Sequence, residues 1–150
     1  MPPKAQKQIL FPINDADAFH TVISPENKKL VVIDLHMSWC GPCNIMEQNY
    51  RAMYFNFENA EERIGFHTCA EENIPQEIMT ALKYGPLTCK PRFVVYAEGE
   101  KKEEINGADF ATLEYAVKKF IPQLDDWFKR KLQLPPLLKL SLNCTASLIT

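Results

Sequence analysis

The stretch LVVIDLHMSWCGPC, residues 30–43, decides the fold of this chain. Residues 30–35 are almost all apolar and rich in β-branched side chains, which predicts a strand buried on both faces. Beyond the second cysteine, apolar residues recur at the spacing of one helix face: Ile45, Met46, Tyr50, Met53 and Phe57. The sequence therefore predicts that Cys40 and Cys43 lie where a central strand passes into a helix.

The spacing of these two cysteines suits thiol–disulfide exchange. Unpaired N–H groups and the dipole at a helix N-terminus would favour the thiolate of Cys40. Cys43 follows one turn later on the same face, close enough to close a small disulfide ring. Pro42 suits a first helical turn, where its missing N–H is no loss. Cys40 would attack a target disulfide as the nucleophile, and Cys43 would resolve the mixed disulfide.

A Cys-x-x-Cys pair can also be half of a zinc site, which needs two further ligands at matching spacing. The remaining cysteines and histidines form no second close pair: Cys69, Cys89, Cys144, His20, His36 and His67. We therefore expect no metal site in this chain.

The residues Val32-Ile33-Asp34, followed by Trp39-Cys40-Gly41-Pro42-Cys43, resemble thioredoxin, and the resemblance runs from about Leu10 to Leu124. It implies an α/β structure, the thioredoxin fold, with a central mixed β-sheet flanked by helices. It also implies protein-disulfide reductase activity, with protein disulfides as substrates and thioredoxin reductase as a partner. No cofactor is implied beyond the redox-active Cys40–Cys43 disulfide itself.

Asp34 is the exception in the predicted strand, because a carboxylate among apolar residues is costly unless it is paired or protonated. It is either a strand-end residue that faces solvent or a functional group. The resemblance implies the second role: in thioredoxins the Asp at this position is buried beneath the disulfide and accepts the proton of the resolving thiol. Three residues depart from the family pattern near the site: His36, Asn44, and Thr68, which replaces a frequent lysine.

A second motif, Lys90-Pro91-Arg92-Phe93, precedes the next predicted strand. Pro91 matches the cis-proline that lies against the two cysteines in thioredoxins, so it is expected to be cis. The basic side chains around it would either bind an acidic segment or simply be solvated. Cys89 should lie near the active-site face, as a plain loop thiol or as an extra redox thiol that forms an intermolecular disulfide. The resemblance implies a substrate-binding surface made of Trp39, Gly41, Pro42, Lys90, Pro91 and Gly107.

Composition excludes several classes of partner. The chain has 150 residues, and its 17 Lys and Arg against 19 Asp and Glu give a formal net charge of -2, so neither nucleic acid nor a membrane surface is expected to bind. No stretch reaches the ~20 apolar residues that span a bilayer. Five unevenly spaced cysteines and no apolar signal core lead us to expect the cytoplasm.

We expect three parts: an N-terminal extension (1–9), a thioredoxin domain (10–124) and a C-terminal extension (125–150). Periodicity in the domain predicts further strands at 8–11, 65–70, 93–96 and 101–105, and helices at 15–23, after Pro75, and at 110–124. In the C-terminal extension, apolar residues alternate with polar ones like one face of a strand: Leu138, Leu140, Leu142 and Cys144. This segment would dock on a partner, fold back on its own domain or stay disordered.

Less specific stretches refine the resemblance. Residues 66–71, 89–91 and 105–109 are similar to the thioredoxin-type light chains of ciliary outer-arm dynein. This similarity implies a dynein heavy chain or other outer-arm subunits as partners, and a location in the axoneme of a cilium or flagellum. The alternative is a free cytosolic thioredoxin that acts as a general protein disulfide reductase.

Overall fold

The computed structural model describes residues 7–42 and 44–124. In these ranges the strands are β1 (Leu10–Ile13), β2 (Leu30–His36), β3 (Ile64–Ala70), β4 (Arg92–Ala97) and β5 (Glu100–Asn106). The helices are α1 (Ala16–Ile23), α2 (Glu47–Asn56), α3 (Ala60–Arg63), α4 (Gln76–Thr80) and α5 (Phe110–Phe120). Cys43 and the predicted docking strand of the C-terminal extension lie outside the described residues.

The strands form one mixed sheet in the order β1-β3-β2-β4-β5. Strand β3 lies parallel to both β1 and β2, whereas β4 lies antiparallel to β2 and to β5. Strand β2 is therefore paired on both edges and covered on both faces, which explains why all but Asp34 of residues 30–35 are apolar. The predicted central mixed sheet flanked by helices is confirmed.

Alternate side chains of β2 enter two separate hydrophobic cores. Leu30 and Val32 pack with buried residues of α2, α3 and α5 on one face of the sheet. Val31, Ile33 and Leu35 pack on the other face, with Phe19 of α1 and with apolar residues on both sides of α4. This two-sided packing fixes the end of β2, from which the two-cysteine motif continues.

The helix after the motif begins later than the sequence predicts. Asn44–Met46 form a single 3-10 turn, and α2 starts only at Glu47. Ile45, expected on the buried helix face, lies in that turn and is 80% exposed, whereas its neighbour Met46 is 1% exposed. A helix dipole acts only within the first turn of its helix. The predicted placement of Cys40 at the N-terminus of the helix is therefore wrong.

His67, on β3, gives a prediction for the pH dependence of stability. Burial lowers the pKa of His67 from 6.5 to about 4; the charge of Lys29 acts in the same direction, and a hydrogen bond with the backbone of Phe11 opposes both. Between these two values the unfolded chain binds a proton that the folded chain does not. Stability must therefore fall as the pH falls, by about 2 kcal/mol between pH 7 and pH 5.

Denaturant unfolding at pH 7 and pH 5 measures this loss. The variant His67→Gln should lose markedly less stability over the interval, because it has no imidazole to protonate. The matched control is His20→Gln, since His20 is an exposed histidine on α1. Equal losses in the wild-type chain and in His67→Gln would contradict the prediction.

Candidate redox site

Strand β2 holds Asp34 inside the protein, just before the motif. The side chain is 1% exposed, which excludes the solvent-facing alternative. In the sheet Asp34 lies opposite Thr68 of β3 and Phe93 of β4. Thr68 therefore takes the neighbouring position that the resemblance gave it. The role of Asp34 as proton acceptor for Cys43 stays a prediction, because Cys43 lies outside the described residues.

His36, the last residue of β2, ties the end of the strand to its neighbours. Its Nδ1 is 3.2 Å from the carbonyl oxygen of Met37, and its Nε2 is 3.2 Å from the hydroxyl of Thr68. A carbonyl only accepts, so Nδ1 carries the hydrogen of the bond to Met37. This histidine therefore connects the end of β2 to β3, next to the turn that carries Cys40.

A tight turn, residues 37–41, presents Cys40 to solvent. The N–H groups of Cys40 and Gly41 both donate to the carbonyl of Met37, at 3.0 and 3.1 Å. Gly41 has a φ of +68°, in the left-handed region that favours glycine. Trp39, next to Cys40, is 75% exposed. The turn thus places the nucleophile and a large apolar side chain side by side on the surface.

Cys40 is bonded to Cys89. The two Cα atoms are 6.1 Å apart, although the residues are 49 positions apart in the sequence. The expected Cys40–Cys43 disulfide is therefore not the bond that Cys40 makes in this structure. The sequence interpretation missed the pairing, since it treated Cys89 as a loop thiol or an intermolecular one. The available signal was the position of Cys89, two residues before the proline expected beside the motif.

Pro91 does not have the predicted cis peptide bond; the bond from Lys90 to Pro91 is trans. An X–Pro bond favours trans by about 0.5–1 kcal/mol unless the local turn demands cis. Here the trans loop leads directly into β4, and the Pro91 carbonyl accepts the N–H of Gly107 at 2.8 Å. The prediction of a cis bond is therefore wrong, although the loop still meets the two-cysteine motif at the Cys40–Cys89 disulfide.

Arg92 is not part of a basic surface, contrary to both alternatives considered from the sequence. It is 2% exposed, and its guanidinium donates to the carbonyl of Gly85 and to the side chain of Asn106. Its Nε lies 3.9 Å from Oε1 of the equally buried Glu104. Lys90 is the exposed cation of this loop.

The disulfide borders a small surface cleft of about 130 Å³. The residues that line it include His36, Cys40, Pro42, Cys89, Lys90 and Pro91. The expected binding residues Trp39 and Gly107 are not among its lining residues, although Trp39 stands exposed beside Cys40. Because the cleft is open, a thiol or disulfide from another protein can reach the sulfur atoms.

Cys69 contrasts with the two bonded cysteines. It is 1% exposed in β3, and burial raises the pKa of its thiol to about 12. Such a thiol is inert at neutral pH. Within residues 7–42 and 44–124, no group of three His, Cys, Asp or Glu side chains is arranged to hold a metal ion. The helices in the same ranges include none long and apolar enough to cross a membrane.

The sequence matches the thioredoxin family model over residues 11–119. The chain belongs to the thioredoxin family. It is 30% identical to thioredoxin-1 of Schizosaccharomyces pombe over 106 residues, which cover 71% of this chain and 93% of that protein. It is 26% identical to thioredoxin of Ophiophagus hannah over 109 residues, 73% of this chain and 96% of that one.

The crystal structure of a thioredoxin from Nicotiana alata has the same fold. Its TM-score is 0.60 at 21% identity, with 79% of this chain and 98% of that chain covered. Thioredoxins are thiol–disulfide oxidoreductases that act on protein disulfides and have thioredoxin reductase as a partner. Their redox-active disulfide is part of the protein, so this thioredoxin needs no separate cofactor.

Proposed function

We propose that this thioredoxin is a redox-active light chain of an outer dynein arm. Its Cys40 undergoes thiol–disulfide exchange with the disulfides of one dedicated protein partner. The observation that carries the exchange chemistry is that Cys40 is an exposed residue, bonded to Cys89 at the edge of a surface cleft and next to exposed Trp39. A sulfur in that position is accessible both to a protein disulfide and to a reductase. This is the access that exchange requires.

The reaction divides into two exchanges. The Cys40 thiolate attacks one sulfur of the substrate disulfide, forms a mixed disulfide and releases the other substrate sulfur as a thiolate. Cys43 then attacks Cys40, which releases the second substrate thiol. Asp34, buried just before the motif, accepts the proton of Cys43. Reduction by a partner such as thioredoxin reductase returns the cysteines to thiols.

Assembly into a dynein arm is supported by sequence similarity in residues 66–71, 89–91 and 105–109. The proposal includes a location in the cytoplasm, at the axoneme of a cilium or flagellum, and a dynein heavy chain or another outer-arm subunit as the partner. Two aromatic residues outside the cleft, Phe55 of α2 and Tyr115 of α5, are 66% and 67% exposed. A partner bound there would leave Cys40 free to react. The C-terminal extension, residues 125–150, is the segment we assign to docking.

A disulfide trap tests this proposal. The bait is the full chain with Cys43→Ser and Cys89→Ser, so that neither candidate partner can displace a protein from Cys40. From a ciliary extract, high salt should release dynein chains, and dithiothreitol should then release one or two proteins. A bait that ends after Gln133 should lose the dynein chains and keep the disulfide-linked species.

Two other outcomes would contradict the proposal. If salt releases nothing and dithiothreitol releases many unrelated proteins, the chain is a free general reductase. If dithiothreitol releases no more from the bait than from a control that also carries Cys40→Ser, exchange through Cys40 itself is wrong.

A further inference from the structure

We propose that Cys89 is a second resolving cysteine, able to displace a substrate from Cys40 and to leave the Cys40–Cys89 disulfide found in the structure. This inference rests on the proposed exchange through Cys40. It gives a catalytic role to a residue outside the two-cysteine motif, in the loop before β4.

The backbone brings the two sulfur atoms within bonding range. The Cα separation of 6.1 Å falls within the span of about 4.4–6.8 Å that disulfides need, so no rearrangement of the backbone is required. A thiol held this close attacks at an effective concentration of roughly millimolar or more. That exceeds the concentration of any separate protein thiol in an extract.

Hydrogen bonds hold in place the two segments that carry Cys40 and Cys89. The turn that carries Cys40 is tied by two N–H donors to the carbonyl of Met37. The loop that carries Cys89 is held at its two ends: Arg92 donates to the Gly85 carbonyl, and the Pro91 carbonyl accepts from Gly107. The two anchored segments therefore keep Cys89 beside Cys40.

Exposure separates Cys89 from the third cysteine of the described chain. Cys40 and Cys89 are both exposed and line the same cleft, where a substrate sulfur attached to Cys40 would lie. Cys69 is buried on β3, and burial raises the pKa of its thiol far above neutral. Among the described cysteines, Cys89 is thus the one positioned to compete with the substrate for Cys40.

The step balances as a simple exchange. In the mixed disulfide, the Cys40 sulfur is bonded to one substrate sulfur. The Cys89 thiol loses its proton to solvent, and the resulting thiolate attacks the Cys40 sulfur. The bond to the substrate breaks, the Cys40–Cys89 bond forms, and the substrate leaves as a thiolate that takes up a proton. The substrate disulfide is the oxidant: it gains two electrons, and Cys40 and Cys89 lose two.

This step changes the catalytic cycle. While the Cys40–Cys89 bond persists, Cys40 has no free thiol and cannot attack another substrate. The protein would leave this state when a further thiol, from Cys43 or from a reductase, attacks the bond. A trap based on Cys43→Ser alone would lose its captured protein, because the Cys89 thiol could still attack Cys40 and release it.

The test follows the lifetime of a mixed disulfide in the full chain. Three variants are compared, all in a Cys144→Ser background: Cys43→Ser, Cys43→Ser with Cys89→Ser, and Cys43→Ser with Cys69→Ser. Each is reduced, freed of reductant and mixed with an oxidised disulfide-bonded peptide. Intact mass reports the peptide adduct and its disappearance, and tryptic mapping identifies linked peptides.

With Cys43→Ser, the adduct should decay to a protein that lacks two hydrogens and contains Cys40 linked to Cys89. Without Cys89 the adduct should last at least about ten times longer, because only thiols of other molecules can attack it. The Cys69 control should match Cys43→Ser. Equal adduct lifetimes with and without Cys89, or a decay that depends on Cys69, would overturn the inference while leaving exchange at Cys40 intact. If no variant forms an adduct, exchange through Cys40 fails, and the inference fails with it.

Discussion

The variant Cys40→Ser should reduce protein disulfides no faster than a reaction without protein, whereas Cys69→Ser should keep the wild-type rate. A serine hydroxyl stays protonated near neutral pH and cannot form a disulfide, so both the attack and the mixed disulfide are lost. Cys69 cannot substitute, because it is 1% exposed and burial raises the pKa of its thiol to about 12. Insulin reduction with dithiothreitol as electron donor measures the rate.

Circular dichroism should show that both variants remain folded, since Cys40 lies in an exposed turn. Activity of Cys40→Ser clearly above the background would mean that Cys43 or Cys89 is the attacking thiol. An equal loss in Cys69→Ser would mean that the assay reports damage to the fold rather than removal of the nucleophile. Either result would contradict the assignment of Cys40.

The fold could be predicted because the sequence of one strand, β2, indicates both its central position in the sheet and the layers that cover it. Residues 30–35 are almost all apolar and rich in β-branched side chains, which favours a strand paired on both edges and covered on both sides. The alternation of its side chains between two cores then demands helices above and below the sheet. Asp34 is the one carboxylate in that run; the run alone left its exposure open, and the resemblance to thioredoxins implied the burial that the structure shows.

The pairing of Cys40 with Cys89 could not be predicted in the same way. The bond joins residues 49 positions apart, so it depends on how the loop before β4 approaches the turn after β2. No local pattern encodes that approach. The trans bond before Pro91 has the same origin, because the path of the loop selects the isomer.

The predicted solvent exposure of Arg92 is wrong for a related reason. In sequence it stands in a basic loop beside Lys90, and local context predicts solvent exposure. Its burial depends on Glu104, which lies on the neighbouring antiparallel strand β5. A buried charge is acceptable only when its partner is near, and that partner becomes visible only once the register of the two strands is known.

Replacing Glu104 with leucine should therefore destabilise the protein by about 3–5 kcal/mol, the usual cost of leaving one member of a buried ion pair without the other. Both side chains of the pair are 2% exposed. The Glu104 carboxylate also accepts the N–H groups of Lys83 and Tyr84, at 2.9 and 3.4 Å, and the ammonium of Lys101, at 3.0 Å. Its loss thus removes the acceptor that holds the turn after α4 and leaves the buried charge of Arg92 without a carboxylate partner.

The pH dependence of the free energy of unfolding provides an independent test of how much the Glu104 carboxylate stabilises the protein. Burial alone would raise the pKa of Glu104, but the N–H of Lys83, the ammonium of Lys101 and the N–H of Tyr84 together hold the pKa below its ordinary value of 4.5. A lowered folded-state pKa stabilises the protein above the unfolded-state pKa, and this contribution disappears as the pH falls through the folded-state value. The stability gap between wild type and Glu104→Leu should be full at pH 7 and narrow below about pH 4.

Adding Arg92→Met to Glu104→Leu should restore part of the lost stability, because the double variant buries no unpaired charge. The recovery should be incomplete, since the N–H groups of Lys83 and Tyr84 still lack their acceptor. Denaturant unfolding of the wild type, both single variants and the double variant gives the coupling directly. If the two single losses simply add in the double variant, the pair does not act as a unit. The cost of Glu104→Leu would then come from the lost acceptor of the Lys83 and Tyr84 N–H groups rather than from an unpaired Arg92.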